Sequence, residues 1–151
     1  MKTKPVLLME ANDDDAFLMK RAWQRAGVAN PLQVLSTTKE AKDYLDGRGI
    51  FAERKTFPLP CVMITDLRLH GDDALLLVQW IRNHAQVKTL VIVILSGSKY
   101  EADIKRAYLL GVNSFLTKPT IHEELADLVG LIRDYWLKAN QNPPQCEDKE
   151  R

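Results

Sequence analysis

"CVMITD", residues 61–66, decides the fold. Val62, Met63 and Ile64 run without a polar alternate, the pattern of a strand buried on both faces, and the run ends on the carboxylate of Asp66. Other short apolar runs end the same way. Val6–Met9 (VLLM) is followed by Glu10, LVIVIL at 90–95 by Ser96, and Ser114–Thr117 by Lys118. Leu32–Leu35 is a fifth run. Each is followed by a longer amphipathic stretch. Ala16, Met19, Trp23 and Ala26 have helical spacing before Gly27; Thr38 is placed to cap a helix through Asp46, closed by Gly47. Asp72–His84 and Tyr100–Leu110 read as the third and fourth helices. Thr120 with Glu123 forms a capping-box pattern ahead of a last helix whose stripe is Ile121, Leu125, Leu128, Ile132 and Tyr135. Arg48–Pro60 is a longer connection, and residues 140–151 are a polar, proline-bearing tail expected to be mobile after a domain of residues 1–139.

Five strand–helix repeats imply right-handed crossovers, hence an α/β protein with one parallel sheet and helices on both faces. Sites in such sheets lie beyond the carboxyl ends of the strands. Glu10, Asp66, Ser96 and Lys118, from four separate strands, are therefore expected to meet in one crevice. Alone, Asp66 reads as a turn residue, Lys118 as a surface lysine and Ser96 as turn chemistry; their joint placement makes them a candidate site.

The bulk properties narrow the classes. A length of 151 residues, 46% hydrophobic and 27% charged, suits one globular domain. A net charge of +1 with no basic block gives no case for nucleic acid. No apolar run approaches the ~20 residues of a membrane span, and the N-terminus does not read as a signal peptide. The expected location is cytoplasmic. Cys61 and Cys146 form no CxxC pair and have no histidine at ligand spacing, so both read as reduced thiols.

The stretches VLLME, MITDLRL, VILSGS and FLTKP, with thirty residues from Asp66 to Ser96 and twenty-two from Ser96 to Lys118, resemble response-regulator receiver domains of two-component signalling. The resemblance covers about residues 5–138. The longer connection and the YWLKANQNPP ending are similar to the single-domain subgroup that partners bacterial phytochrome kinases. The resemblance implies a flavodoxin-like five-stranded sheet of order 2-1-3-4-5. It implies that Asp66 accepts a phosphoryl group from a histidine kinase, that Ser96 and Lys118 bind its oxygens, that Phe115 is the switch aromatic and that Pro119 follows a cis peptide bond. It implies a non-enzymatic protein that signals by contact. It also suggests pairing with a second copy through the fourth helix, fifth strand and fifth helix, where Tyr108, Leu109, Val129 and above all Trp136 are the candidates.

The chain departs from that pattern at two places. Receivers normally carry two adjacent acids after strand one, the second a direct magnesium ligand; here Ala11 follows Glu10. Asp14 and Asp15 read as capping the first helix rather than replacing that ligand. Arg68 stands two residues after Asp66, where a small polar residue is common; His70 and Ala74 also differ. Glu10, Asp66, Lys118 and Arg68 sum to zero charge without a metal. Mg²⁺ binding is thus in doubt: Glu10, Asp66 and the Arg68 carbonyl could form a weak site, or the Arg68 side chain could replace the cation. A pseudo-receiver that binds partners without phosphorylation or metal is the alternative. A haloacid-type phosphatase needs a second carboxylate where Arg68 stands, and a flavin module would not place EANDDD against a phosphate.

Overall fold

In the computed structural model, which describes residues 3–144, one parallel sheet carries the chain. Its strands are β1 (Val6–Met9), β2 (Leu32–Leu35), β3 (Val62–Thr65), β4 (Val91–Ser96) and β5 (Ser114–Thr117), in the order β2-β1-β3-β4-β5. The helices are α1 (Asp13–Arg25), α2 (Thr38–Asp46), α3 (Ala74–Arg82), α4 (Glu101–Leu110) and α5 (His122–Ile132). This is the expected flavodoxin-like architecture.

The strands lack polar alternation because both faces are covered. Val6 and Leu8 of β1 pack with Val62, Ile64, Val91 and Val93 against Met19 and Trp23 of α1 and Val129 and Ile132 of α5. Their neighbours Leu7 and Met9 point the other way, with Met63, Ile92 and Ile94, against Tyr44 and Leu45 of α2, Leu75 and Val78 of α3 and Ala107 of α4. Val129, expected on an interaction surface, is fully buried, because it faces the sheet. Trp136 is half-buried against the same layer and meets Tyr135 edge to face at 4.8 Å.

The helix starts differ from expectation in an instructive way. Asn12, not Asp14 or Asp15, caps α1: its side chain accepts the Asp15 N–H at 2.9 Å. Asp13, Asp14 and Asp15 then fill the first turn, where they favour the helix dipole. Thr37 rather than Thr38 caps α2, in a reciprocal box with Glu40. Glu40 accepts from the backbone and side chains of both Ser36 and Thr37, and the Ser36 backbone bond foremost holds its carboxyl below the ordinary value. α3 starts at Ala74, capped by Asp73, because residues 72–73 pair antiparallel with 68–69. The two residues between, His70 and Gly71, both have positive φ (48° and 83°), as a two-residue I′ hairpin requires. Thr120 does not cap α5; Ile121 holds that position with no side-chain bond. The helix then widens into a π turn at Arg133–Ala139, and the peptide bond before Pro119 is trans.

The connection after α2 is better tied than its composition suggests. Its single-turn helix Gly49–Phe51 brings Phe51 against Tyr44 at 5.0 Å. Arg54 donates to the carbonyls of Tyr44, Leu45 and Phe57, closing the open end of α2. Cys61 is a free, half-buried thiol that burial pushes up in pKa; Cys146 and most of the tail lie outside the described residues. Among the described residues, no helix is long and apolar enough to cross a membrane.

Replacing Arg54 with alanine removes three charge-assisted bonds, to the carbonyls of Tyr44, Leu45 and Phe57. Urea unfolding is expected to show a loss of about 1.5–3 kcal/mol, with Arg54→Lys recovering only part, because an ammonium lacks the fork that reaches several carbonyls at once.

Candidate functional site

Each site residue sits one step past, or at the end of, a strand whose neighbours fix it. The ladder continues beyond the regular strands: Glu10 N–H donates to the Leu35 carbonyl at 3.0 Å, Asp66 N–H to Met9 at 3.2 Å, and Lys118 N–H to Ser96 at 2.8 Å. The backbone thus delivers side chains from β1, β3, β4 and β5 to one sheet edge, as expected.

There the Lys118 ammonium binds two carboxylates at once. It donates to Glu10 Oε1 at 2.9 Å and to Asp66 Oδ2 at 2.8 Å. A third carboxylate, Asp15 Oδ2, lies 3.5 Å away. Glu10 is 8% exposed, and its second oxygen faces the Asn12 N–H at 3.3 Å. Asp66 Oδ1 accepts the N–H of Leu67 at 2.7 Å. Burial disfavours the charge on Lys118, but the bonds to Asp66 and Glu10 outweigh it, so its pKa is raised. Ser96 is buried beside them, its Oγ accepting the Ser98 N–H at 3.1 Å.

A cavity of about 200 Å³ opens on either side of Asp66. One runs between α1 and α5 and includes Glu10, Asp15, Lys118 and Pro119. The other reaches toward α3 and α4 and is lined by Asp66, Arg68, Asp73, Ser96, Asp103 and Arg106, among others. Phe115 is half-buried behind β5, against the core layer that carries α2, α3 and α4.

Two expectations change. Arg68 does not stand between the carboxylates. Its side chain is exposed at the cavity mouth and makes no ion pair among the described residues, because the short ladder carries it out past the strand end; Lys118 occupies the central position. The charge count also changes, since Asp15 adds a third acid that the sequence reading had assigned to capping. Recognising Asn12 as the cap would have found it, because a cap at 12 places Asp15 in the first turn beside the strand ends. Asp73 and Asp103 were likewise missed, since helix-start positions do not announce a cavity, and Arg106 because an arginine within a helix reads as a solvated side chain.

The donor set fits a divalent metal poorly. Magnesium wants near-ideal octahedral oxygen coordination. Ala11 offers no donor, Asn12 is spent on its cap, and Glu10 and Asp66 share the lysine. Among the described residues, no three His, Cys, Asp or Glu side chains are grouped to hold a metal.

Residues 6–130 match the family model of the response regulator receiver domain. The chain belongs to the response regulator receiver family. It is 34% identical over 141 residues to the probable methanogenesis regulatory protein FilR2 of Methanothrix harundinacea, covering 91% of this chain and 86% of FilR2. It is 27% identical to the response regulator Rcp1 of Synechocystis, over 89% of this chain and 90% of Rcp1; the Mn²⁺-bound form of Rcp1 superposes with a TM-score of 0.81. The phosphorylated cyanobacterial phytochrome response regulator RcpA gives a TM-score of 0.85 at 28% identity, over 95% of this chain and all of RcpA. The fold is thus that of a receiver similar to phytochrome response regulators, in a family of signalling modules.

Lys118→Met leaves Glu10 and Asp66 without their shared cation. It is expected to cost about 1.5–3 kcal/mol of stability at neutral pH in urea unfolding. Because the folded pKa of Lys118 lies above its unfolded value of about 10.4, its contribution is complete below that pH and lost as pH rises through the folded value. Tyr44, whose hydroxyl burial pushes up, loses stability over a similar alkaline window. The gap between wild type and variant isolates Lys118, and on the alkaline side it should narrow above about pH 10.4.

Proposed function

We propose that this protein is a single-domain response regulator whose Asp66 accepts a phosphoryl group from the phosphohistidine of a histidine kinase. In that step the P–N bond to imidazole breaks and a P–O bond forms to an Asp66 carboxylate oxygen; the imidazole nitrogen keeps the bonding pair. The observation that carries the reading is the placement of the Asp66 carboxylate, held at 2.8 Å by Lys118 and facing an open cavity with Ser96 at its side. Phosphoryl transfer asks for positioning and charge neutralisation rather than covalent help. Lys118 supplies a fixed cation, Ser96 a hydroxyl, and the Leu67 N–H a donor on the same carboxylate. The existence of a phosphorylated form of RcpA supports the reading.

The finer assignments rest on the same reading. The kinase is of phytochrome type, by analogy with RcpA and Rcp1. Residues 1–139 form the receiver and 140–151 a tail. Phe115 is the switch aromatic, and output passes by protein contact in the cytoplasm, without nucleic acid and without enzymatic turnover. Tyr108 and Leu109 on α4, half and three-quarters exposed, offer an apolar patch for a partner or second copy; Trp136, half-buried in the turn after α5, is the further contact residue that the resemblance suggests. Magnesium binds weakly here, and Arg68 at the cavity mouth supplies part of the positive charge a metal would bring.

A second reading is favoured by one observation. Ala11 removes a metal ligand, and a receiver that cannot recruit metal could act as a phosphorylation-independent docking module. Incubation with a phosphorylated bacteriophytochrome kinase separates the two. Mass spectrometry is expected to find one phosphoryl group on Asp66, and none on Asp66→Asn. An unmodified wild-type chain under conditions that label a related regulator would favour the docking module.

The metal assignment has its own check. The Ala11→Asp, Arg68→Asn double variant restores an acidic ligand and removes the rim cation. Calorimetric titration should show Mg²⁺ affinity rising by about tenfold or more over wild type. Tight stoichiometric binding by the wild type would reject the charge argument.

A further inference from the structure

The cavity on the α3–α4 side of Asp66 holds a cation that the phosphoacceptor chemistry does not yet use. Arg106, in the second turn of α4, donates to Asp73 Oδ2 at 2.7 Å. Asp73 is the cap of α3: its other oxygen accepts the Leu75 N–H at 2.9 Å. One carboxylate therefore ties the flank of α4 to the start of α3. The same cavity is lined by Asp66 and Ser96, so the pair sits within the space a phosphoryl group on Asp66 would enter. The pair is not deeply held. Arg106 is about half exposed and has no other partner among the described residues, so little opposes an exchange of its carboxylate for a stronger anion.

The charges facing this space decide where Arg106 goes. Asp66, Asp73 and Asp103 are the acids, and Arg68 and Arg106 the bases. Asp103 is engaged by Ser98, whose hydroxyl donates to it at 2.6 Å. Arg68 lies at the mouth and has no ion-pair partner among the described residues. A phosphoryl group carries about −1.5 to −2 charges at neutral pH and three acceptor oxygens. It repels Asp73 and attracts the guanidinium beside it, whose planar fork matches phosphoryl oxygens.

We infer that Arg106 is a phosphoryl-sensing residue, which exchanges Asp73 for the oxygens of phosphorylated Asp66 and so releases α4 from α3. The inference rests on the proposed role of Asp66. It adds to that role a route by which charge at the sheet edge reaches the helix bearing the exposed Tyr108 and Leu109. Asp73 acts as the competitor: it holds Arg106 back until a stronger anion is present.

Beryllium fluoride, which forms a tetrahedral phosphoryl-like adduct on aspartate, tests this in the full chain by calorimetric titration at fixed magnesium. Arg106→Gln is expected to weaken binding by about five- to tenfold, and Arg106→Lys to recover part of the loss. Asp73→Asn keeps the α3 cap, since asparagine caps as well as aspartate, but removes the competing charge. It should tighten binding by about fivefold, a change opposite in sign to structural damage. The double variant should behave as Arg106→Gln alone. In wild type, beryllium fluoride should speed amide hydrogen exchange at the start of α4, and in Arg106→Gln it should not. Unchanged affinity in Arg106→Gln, weaker binding in Asp73→Asn, or a loss confined to Arg68→Gln would overturn the inference and leave the phosphoacceptor reading standing. No adduct on the wild-type chain would remove both.

Discussion

One ammonium group holds the working end of this protein together. Lys118 reaches from the end of β5 to carboxylates that follow β1 and β3, so a single side chain spans the sheet edge between strands that are not neighbours. Two carboxylates about 4 Å apart repel by on the order of 4 kcal/mol at an effective dielectric near 20. The lysine turns that repulsion into a bridge. Its burial is a cost that the two bonds exceed, which is why its proton is held more tightly than in water. The geometry of Asp66 is therefore set less by its own loop than by a residue fifty-two positions away.

That bridge depends on register. Glu10, Asp66 and Lys118 are each held by a backbone bond one residue past a regular strand, so a slip of one residue in β5 would turn the lysine to the other face of the sheet. The apolar runs prevent the slip. Phe115 and Leu116 of β5 pack against opposite layers of the core, each among different helices, and shifting either would expose one set and crowd the other. Stability of the core and alignment of the site are thus the same constraint, met by the same alternation.

The parts legible in the sequence are those fixed by this alternation. Five strands, their parallel arrangement and the meeting of Glu10, Asp66, Ser96 and Lys118 follow from where apolar runs stop and which polar residue stops them. Strand order came from resemblance, since periodicity alone does not rank neighbours. Helix starts were less legible, because several adjacent residues could each supply a cap oxygen. In the run Asn12–Asp15 four candidates compete, and backbone geometry chooses the first; at 37–38 two threonines compete and the one three residues before Glu40 wins, because it can complete a reciprocal box. These one- to three-residue shifts carry functional weight. Moving the α1 cap to Asn12 brings Asp15 to the lysine, and shortening α3 makes Asp73 its cap and places it opposite Arg106. Arg68 was misplaced for a related reason: charge counting says how many cations a pocket needs, whereas the short ladder at 68–73 decides which way an arginine points.

The distribution of charge around Asp66 is uneven. On the α1 side, Glu10 and Asp15 crowd a lysine that already serves both Glu10 and Asp66. On the α3–α4 side stand two guanidinium groups, one without an ion pair among the described residues and one held by a half-exposed contact. A new anion on Asp66 raises the repulsion from the first side and finds its compensation on the second. A divalent ion bound beside Glu10 would reverse that gradient and draw the anion toward α1. With Ala11 in place of a ligand, the gradient points the other way, toward the helices whose contacts can change. The acids on the α1 side and the arginines that follow β3 and sit on α4 are therefore two halves of one electrostatic arrangement.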